Sequence, residues 1–176
     1  MTNTLQIKLL SDNATMPKRE HDTDAGFDIY AAETAVLEPQ EKALIATDIA
    51  VNIPKGYVGL LTSRSGVSSK THLVIETGKI DAGYQGHMQI NIKNDNETLE
   101  NWVSCYFSDI ALDIEGNIIP LDSKDEVVMT GTYQINKGDR LAQLVIVPII
   151  TPELQQVEEF TSESARGEKG FGSSGF

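Results

Sequence analysis

The segment GKIDAGYQG, at residues 78–86, brings a carboxylate and an aromatic ring next to a glycine turn. Its Ala82-Gly83 pair predicts a β-hairpin with the turn at these two residues. A hairpin presents Asp81 and Tyr84 from a rigid frame, and a carboxylate held there can accept a proton from a positioned water molecule. The same pattern also fits a plain hairpin with a polar tip, so the segment alone leaves both interpretations open.

Two further segments carry polar groups that suit phosphate. In SRSG, at 63–66, a turn with small donors and one arginine can bind phosphate through backbone N–H groups, hydroxyls and the guanidinium. In GDRLAQ, at 138–143, polar residues lead into an apolar run. A polar loop and a turn followed by core are the alternative interpretations of these two segments.

Two glycine-containing segments near opposite ends of the chain complete the set. In DAGFD, at 24–28, two carboxylates flank a glycine; they can hold a metal-bound water, orient a basic residue, or form a solvated turn. In RGEKGFGSSG, at 166–175, glycines leave backbone N–H groups free for phosphate, or the stretch is a disordered tail. Its spacing is not that of a P-loop, and no strand and helix flank it.

The elements that must position these groups are predicted to be strands. Residues 43–53 are rich in apolar and β-branched side chains and end at a Pro-Lys-Gly turn, and a short strand is predicted at 57–61. Met88, Ile90 and Ile92 alternate with polar residues, which is the period of a half-buried strand. The apolar run 141–150 indicates a buried strand, and its Pro148 favours an edge or a bend.

Helical spacing is scarce, and its best example is the short stretch 97–107. Many short strands separated by turn residues predict an all-β sandwich, barrel or jelly roll. The chain of 176 residues is long enough for one domain with its own core, which we assign to 1–160, followed by a flexible C-terminal arm at 161–176.

The net charge of −12 argues against binding to nucleic acid backbones, and any phosphate chemistry must depend on a local basic pocket. The stretch 94–129 holds nine acidic residues and one lysine, a net −8 of that total, which suggests an inserted module. The sequence shows no secretory signal and no apolar run long enough for a bilayer, so we expect no membrane contact. Cys105 is the only cysteine, which excludes a disulfide framework and favours a reducing cytoplasm.

In order and approximate spacing, the motifs AGFD, SRSG, GKIDAGYQG, GDRLAQ and RGEKGFGSSG resemble the five motifs of the homotrimeric dUTPase family. The match covers most of the chain outside 94–129. The resemblance implies a β jelly roll, a homotrimer with three active sites shared between subunits, and hydrolysis of dUTP to dUMP and pyrophosphate. Mg²⁺ would be held mainly by the three phosphates of the nucleotide.

The resemblance also implies roles for single residues. Asp81 matches the carboxylate that activates the attacking water, and Tyr84 matches the ring that lies against the deoxyribose and excludes a 2′-hydroxyl. The hairpin backbone between Ile75 and Gln89 would contact uracil and exclude the 5-methyl group of thymine. Ile75 departs from the asparagine that many members carry there. The other substrate contacts expected in this segment are Lys79 and Ile80.

For the phosphates, the resemblance implies Arg64, Ser65 and Gly66 in a binding turn, with Gln143 as a further contact. Asp28 matches the carboxylate near the metal, acting through water. In the arm, Phe171 matches the ring that stacks on the base, and the γ-phosphate is expected to be covered by Arg166, Gly170, Gly172 and Ser173. Lys169 stands where glycine is frequent in the family.

The insert brings the resemblance nearest to the dUTPases of staphylococcal phages. Some of these also bind a pathogenicity-island repressor and relieve repression, and we carry that over as a hypothesis. Trp102, Tyr106 and Phe107 are the candidate partner contacts, since aromatic side chains on an acidic protrusion suit protein binding. The alternative is that these rings pack the insert onto the body of the protein.

Two other functions remain open from the sequence. A dCTP deaminase has the same fold, although the IDAGY segment and the Arg-Gly-Phe arm favour a dUTPase. A regulatory binding protein could keep the fold without chemistry, although the presence of Asp81, Tyr84, Arg64 and Gln143 argues against it.

Overall fold

A computed structural model describes residues 4–97, 107–121, 127–165 and 167–168 of the chain. Within them, fourteen strands and one short helix follow one another along the sequence. The elements are β1 (Gln6–Leu9), β2 (Gly26–Tyr30), β3 (Ala35–Leu37), β4 (Lys42–Asn52), β5 (Tyr57–Ser63), α1 (Ser65–Lys70), β6 (Leu73–Ile75), β7 (Gly78–Ile80), β8 (His87–Asn94), β9 (Phe107–Ser108), β10 (Ile110–Leu112), β11 (Ile118–Pro120), β12 (Val128–Met129), β13 (Tyr133–Ile135) and β14 (Arg140–Pro148). The all-β prediction is confirmed.

The described strands form three four-stranded sheets and one two-stranded pair. Their strand orders are β1-β4-β8-β6, β2-β14-β5-β7, β11-β10-β13-β3 and β12-β9. Pairing is antiparallel except for a single parallel bridge between β10 and β13, Leu112 to Tyr133. The three larger sheets contribute to one hydrophobic core, in agreement with the jelly-roll prediction.

Strand β8 confirms the half-buried strand that the period-two pattern predicted. Met88, Ile90 and Ile92 are all buried, while the intervening residues face outward. A fully buried side chain of this size contributes roughly 1.5–3 kcal/mol relative to an exposed one. The alternation therefore fixes which face of β8 packs on the core, and a register slip of one residue would expose all three side chains.

Strand β14 is interior at its centre, but at Pro148 only β5 pairs with it, so the edge position suggested by Pro148 holds at that residue and not for the strand as a whole. Its residues 142–145 pair with β2 on one side and with β5 on the other. Pro148 is the last residue of the strand. At that position its missing N–H interrupts no inner hydrogen bond of the sheet.

The segment 78–86 has the expected turn and lacks the expected hairpin. The Tyr84 N–H donates to the Asp81 carbonyl at 3.1 Å, and Gly83 takes φ +95°, which suits glycine. However, β7 pairs with β5 whereas β8 pairs with β4 and β6. The segment therefore crosses between two sheets, because the β7 ladder is satisfied by a strand far from it in sequence.

The described helix lies where the sequence indicated a turn. In α1, the carbonyl of Arg64 accepts from the N–H groups of Val67 and Ser68, at 3.0 Å each. The composition SGVSSK is a poor helix former, so burial of Val67 in the core supplies its stability. The helix predicted near 97–107 lies mostly outside the described residues, and β9 begins at Phe107.

Strands β9 to β12 belong to the acidic stretch 94–129. Among the described side chains of this stretch, Ala111, Leu121 and Val128 form a small apolar cluster, with Ile119 packed against it. Trp102 and Tyr106 lie outside the described residues, and the Phe107 side chain is likewise not described. None of the described helices is long and apolar enough to cross a membrane.

Candidate active site

The segment that follows β7 borders an open cleft of about 330 Å³. Its walls come from two sheets, since Lys79 and Ile80 end β7 whereas His87 to Gln89 begin β8. The cleft is lined by Lys79, Ile80, Asp81, Tyr84, His87, Met88 and Gln89. It therefore brings together five of the residues predicted to bind or transform substrate.

Tyr84 is held over the backbone by its own neighbours. Its hydroxyl donates to the carbonyl of His87 at 3.0 Å, and about half of the side chain remains exposed. A Cβ on Gly86 would meet the Tyr84 hydroxyl oxygen at 2.6 Å and the adjacent ring carbon at 2.7 Å. Only glycine at position 86 lets the ring take this place, and the sequence motif contained Gly86 without revealing that role.

An irregularity in β4 holds His87 in place through a hydrogen bond from its backbone. The register shifts between Ala46 and Ile49, and Asp48 takes the uncommon φ of +51°. The Asp48 N–H donates to His87 Nε2 at 2.9 Å, and the buried Thr47 hydroxyl donates to the Met88 carbonyl. These bonds fix the start of β8, on which the Tyr84 contact depends.

Asp81 is exposed at the mouth of the cleft, directly after β7. Across the described part of the chain, its carboxylate makes no hydrogen bond or ion pair. An unengaged carboxylate on a short, anchored turn is free to accept a hydrogen bond from water. Lys79 lines the same cleft and supplies one positive charge.

A second group of predicted residues surrounds the buried carboxylate of Asp28. Oδ1 accepts from Arg64 Nε at 3.2 Å and from Gln143 Nε2 at 3.1 Å, and Oδ2 accepts from Arg140 Nη1 at 3.3 Å. Asp28 is only 3% exposed, so these charge-assisted bonds are strong and directional. The strand register brings them together, because Asp28 lies opposite Gln143 between β2 and β14.

The other carboxylate of the same motif does something different. Asp24 Oδ2 accepts from the His21 N–H at 2.9 Å and closes a local turn. Of the three alternatives that the sequence left open, Asp24 forms a turn and Asp28 orients basic side chains, and the metal-bound water stays a prediction.

Arg140 also reaches the exposed Glu20 at 3.5 Å, so one guanidinium links the buried carboxylate to the surface. The neighbouring residue Asp139 has a carboxyl whose pKa is raised, mainly by burial. The hydrogen bond from the Asn136 N–H lowers this pKa, and the negative charges of Asp113 and Glu115 raise it further. Arg140 therefore has two further acidic neighbours, Glu20 in space and Asp139 in sequence.

Ser65 and Gly66 begin α1 directly after Arg64. The Arg64 N–H donates to the Leu141 carbonyl at 3.2 Å, which ties this turn to β14. Arg64, Arg140 and Gln143 thus converge on Asp28, whereas Asp81 and Tyr84 line the cleft around β7. Both groups belong to elements of the β2-β14-β5-β7 sheet or border it.

The remaining predicted residues are placed as follows. Ile75 is 7% exposed and belongs to the core, so a ligand could be contacted only by its backbone. The arm residues Arg166, Gly170, Phe171, Gly172 and Ser173 lie outside the described residues, as does Lys169. Within the described ranges, no group of three or more His, Cys, Asp or Glu side chains could hold a metal ion.

Comparison with known proteins shows which family the chain resembles. The sequence pattern of the dUTPase family matches residues 12–100 and 115–175. The chain is 35% identical over 181 residues to the deoxyuridine 5′-triphosphate nucleotidohydrolase of Mycobacterium marinum, covering 99% of this chain and 97% of that enzyme. It is 32% identical over 174 residues to the enzyme of the same name from Clostridium tetani, with coverages of 98% and 97%.

Solved structures agree with the sequence match. The dUTPase of Staphylococcus bacteriophage 80alpha with dUpNHpp is 64% identical, with a TM-score of 0.91 over 99% of this chain and 100% of that one. The dUTPase of phage phi11 of S. aureus is 66% identical, with a TM-score of 0.84 over 92% of this chain and 100% of that one. The unmatched residues 101–114 of the family pattern fall inside the predicted insert, whose bounds of 94–129 stay a prediction.

We expect Asp28→Ala to lower the free energy of unfolding by about 3 kcal/mol, because it leaves two guanidinium groups and one amide without their shared acceptor. Glu20→Ala is the matched control, since it removes the exposed partner of the same Arg140 and should cost less than about 1 kcal/mol. Urea denaturation of both variants, followed by circular dichroism at one protein concentration, measures the difference. Equal midpoints would show that the buried carboxylate does not organise this cluster.

Proposed function

The chain belongs to the dUTPase family, and from that premise we propose that it hydrolyses dUTP to dUMP and pyrophosphate with Asp81 as the general base. The proposal depends above all on the cleft that joins Asp81, Tyr84 and Gln89. Asp81 accepts a proton from water, whose oxygen forms a bond to the α-phosphorus. The bond from that phosphorus to the α,β-bridging oxygen breaks, and pyrophosphate leaves with its electron pair.

Tyr84 sets the sugar specificity in this proposal. Its ring is held by the His87 carbonyl and lies against Gly86, so a ribose 2′-hydroxyl would meet a fixed obstacle. Discrimination by a rigid ring is worth more than discrimination by a mobile one, because the protein cannot relax around the wrong substrate. The backbone around Ile80 and Gln89 would contact the uracil edge and exclude a 5-methyl group.

The Asp28 cluster supplies the phosphate contacts. Arg64 and Arg140 concentrate positive charge on an acidic protein, and Gln143 is oriented by the same carboxylate. We assign the Arg64-Ser65-Gly66 turn and Gln143 to the triphosphate. Asp28 positions them, because its oxygens already accept three donors and its side chain is 4% exposed.

A homotrimer with shared sites explains why the cleft and the Asp28 cluster form separate groups within one chain. The segment after β14 supports assembly, since Ile150, Leu154 and Phe160 are 89%, 99% and 91% exposed. Large apolar side chains so fully exposed on a single chain suit burial against a second copy. The arm that follows, with Arg166, Phe171 and Ser173, would close over the bound nucleotide and exclude water.

Mg²⁺ fits this site only as a partner of the nucleotide phosphates. The described residues offer no carboxylate cluster for it, and three donors occupy most of the acceptor positions of Asp28. Mg²⁺ is commonly bound through substrate phosphates with one or two carboxylates, and Asp28 would contribute through water. Bound in this way, it would neutralise phosphate charge. The D95N mutant of the phage phi11 dUTPase is described with a structural Mg(II) ion.

A second role is control of a partner protein. The phage 80alpha dUTPase is described as controlling transfer of virulence genes by a G protein-like mechanism. We propose that this chain binds a pathogenicity-island repressor through Trp102, Tyr106 and Phe107 of the insert. Both roles would be exercised in the cytoplasm, where a single unpaired cysteine stays reduced.

Asp81→Asn should lower kcat by about 10²–10⁴-fold while leaving the affinity for dUpNHpp nearly unchanged, because only proton acceptance is lost. Asp12→Asn removes another exposed carboxylate and serves as the control. Turnover is measured as pyrophosphate from dUTP and, separately, as ammonia from dCTP. Undiminished turnover in Asp81→Asn would refute the base, ammonia release would indicate a deaminase, and an inactive parent protein would indicate a purely regulatory role.

Gly86→Ala should reduce the preference for dUTP over UTP about tenfold in kcat/KM, which corresponds to about 1.4 kcal/mol. The added Cβ would be 2.6 Å from the Tyr84 hydroxyl oxygen, so the ring must move. Gly78→Ala is the matched control in the same segment, because its Cβ would meet nothing closer than Leu61 Cβ at 3.6 Å. An unchanged preference in Gly86→Ala would exclude Tyr84 placement as the source of sugar selectivity.

Native mass spectrometry examines assembly and the second role together. The protein alone should have the mass of three chains, and adding a staphylococcal pathogenicity-island repressor should give a complex. Trp102 is the only tryptophan, so its fluorescence should change on mixing, and Trp102→Ala should weaken the complex. A monomeric mass would contradict the shared site, and the absence of any complex would exclude the repressor role.

A further inference from the structure

The turn between β10 and β11 is one of the most strongly specified turns of the described chain. The Asp113 carboxylate accepts from the N–H groups of Glu115 and Asn117, at 2.8 Å each, and from Asn117 Nδ2 at 3.0 Å. The Gly116 N–H donates to the Asp113 carbonyl at 3.0 Å, and Gly116 takes φ +83°. These bonds all lie within residues 113–117, so they hold the turn in one conformation without help from the rest of the protein.

The element that it contacts is the end of α1. A Cβ on Gly116 would lie 2.8 Å from the Lys70 carbonyl oxygen, which means that the two backbones are in direct contact. Glu115 also pairs with Lys70 at 3.5 Å, but both side chains are more than half exposed, so this pair contributes little. The contact is therefore mainly steric, and it depends on the missing side chain at position 116.

Helix α1 is also anchored at its start, where the Arg64 N–H donates to the Leu141 carbonyl and the Arg64 guanidinium donates to Asp28. It has six residues, and only Val67 is buried. After its C-terminus, the Thr71 hydroxyl donates to the Val67 carbonyl at 2.7 Å, and the His72 N–H donates to the Tyr133 hydroxyl at 3.0 Å. Tyr133 is itself bridged to Leu112 at the end of β10, so the same strand supports the helix end through two routes.

We propose that the turn 113–117 positions the phosphate-binding turn Arg64-Ser65-Gly66 through α1, with Gly116 as the positioning residue. This inference rests on the phosphate role proposed above for that turn. Six helical residues span about 9 Å, and a helix this short moves as a unit. A displacement at Lys70 is therefore carried to Ser65, while the Asp81 end of the site keeps its own supports.

Gly116→Ala tests the proposal. The displaced helix end should raise KM for dUTP and the dissociation constant for dUpNHpp about tenfold, while kcat changes less than about twofold, because ground-state phosphate binding is lost and the base is untouched. Gly56→Ala is the matched control. Gly56 has φ +86° and no atom within 4 Å of a Cβ, so it adds the same backbone strain without the contact, and KM should not change.

Two outcomes separate this inference from the proposed function. If Arg64→Ala raises KM and Gly116→Ala behaves like Gly56→Ala, the phosphate turn stands and the positioning role is overturned. If neither Arg64→Ala nor Gly116→Ala changes KM, the phosphate role itself fails, and the inference fails with it.

Hydrogen exchange on the unmodified protein tests the same coupling if Gly116→Ala does not fold. Coupling between sites is reciprocal, so dUpNHpp should slow amide exchange at Glu115 and Asn117 relative to the amides of the Pro54–Tyr57 turn. Equal effects of dUpNHpp on the two turns would overturn the proposal.

Discussion

The candidate site depends on the hydrogen bonds that the buried carboxylate of Asp28 accepts from Arg64, Arg140 and Gln143. An ionised carboxylate at 3% exposure is tolerated only when its oxygens are hydrogen-bonded, and three donors from two segments meet that requirement. Arg64 follows β5, whereas Arg140 and Gln143 come from β14. One negative charge thus determines where two positive charges lie, which lets a protein of net charge −12 present a basic pocket.

The cleft after β7, to which we assign the nucleoside, is shaped by backbone geometry more than by charge. Gly83 closes a turn that aims Asp81 outward, Gly86 leaves room for the Tyr84 ring, and the Asp48 bulge supports His87. Each feature uses a conformation or a close approach that few side chains permit. The rigidity that results is what the proposed discrimination between two sugars by the Tyr84 ring requires.

The acidic stretch around β9 to β12 is more than an appendage to this scaffold. Strand β10 joins the sheet of β3 and β13, and the turn after it contacts the end of α1. In the proposed positioning role, this stretch would influence the reaction without contacting the substrate. The same stretch carries Trp102, Tyr106 and Phe107, the residues of the proposed partner surface.

The sequence alone determined the strand character of the chain and the identity of the reactive groups. Apolar alternation in β8 sets its buried face whatever its partners, and carboxylate, guanidinium and aromatic groups keep their chemistry in any fold. The sequence did not determine which strands pair: β7 joins β5, and Pro148 ends an interior strand. It also did not indicate α1, which forms from a poor helix sequence. The contacts of Gly86 and Gly116 were equally hidden, because one depends on a ring folded back over the chain and the other on a carbonyl distant in sequence. Those contacts are set by long-range hydrogen bonding and packing, whose energies exceed local preference and exist only in the tertiary structure.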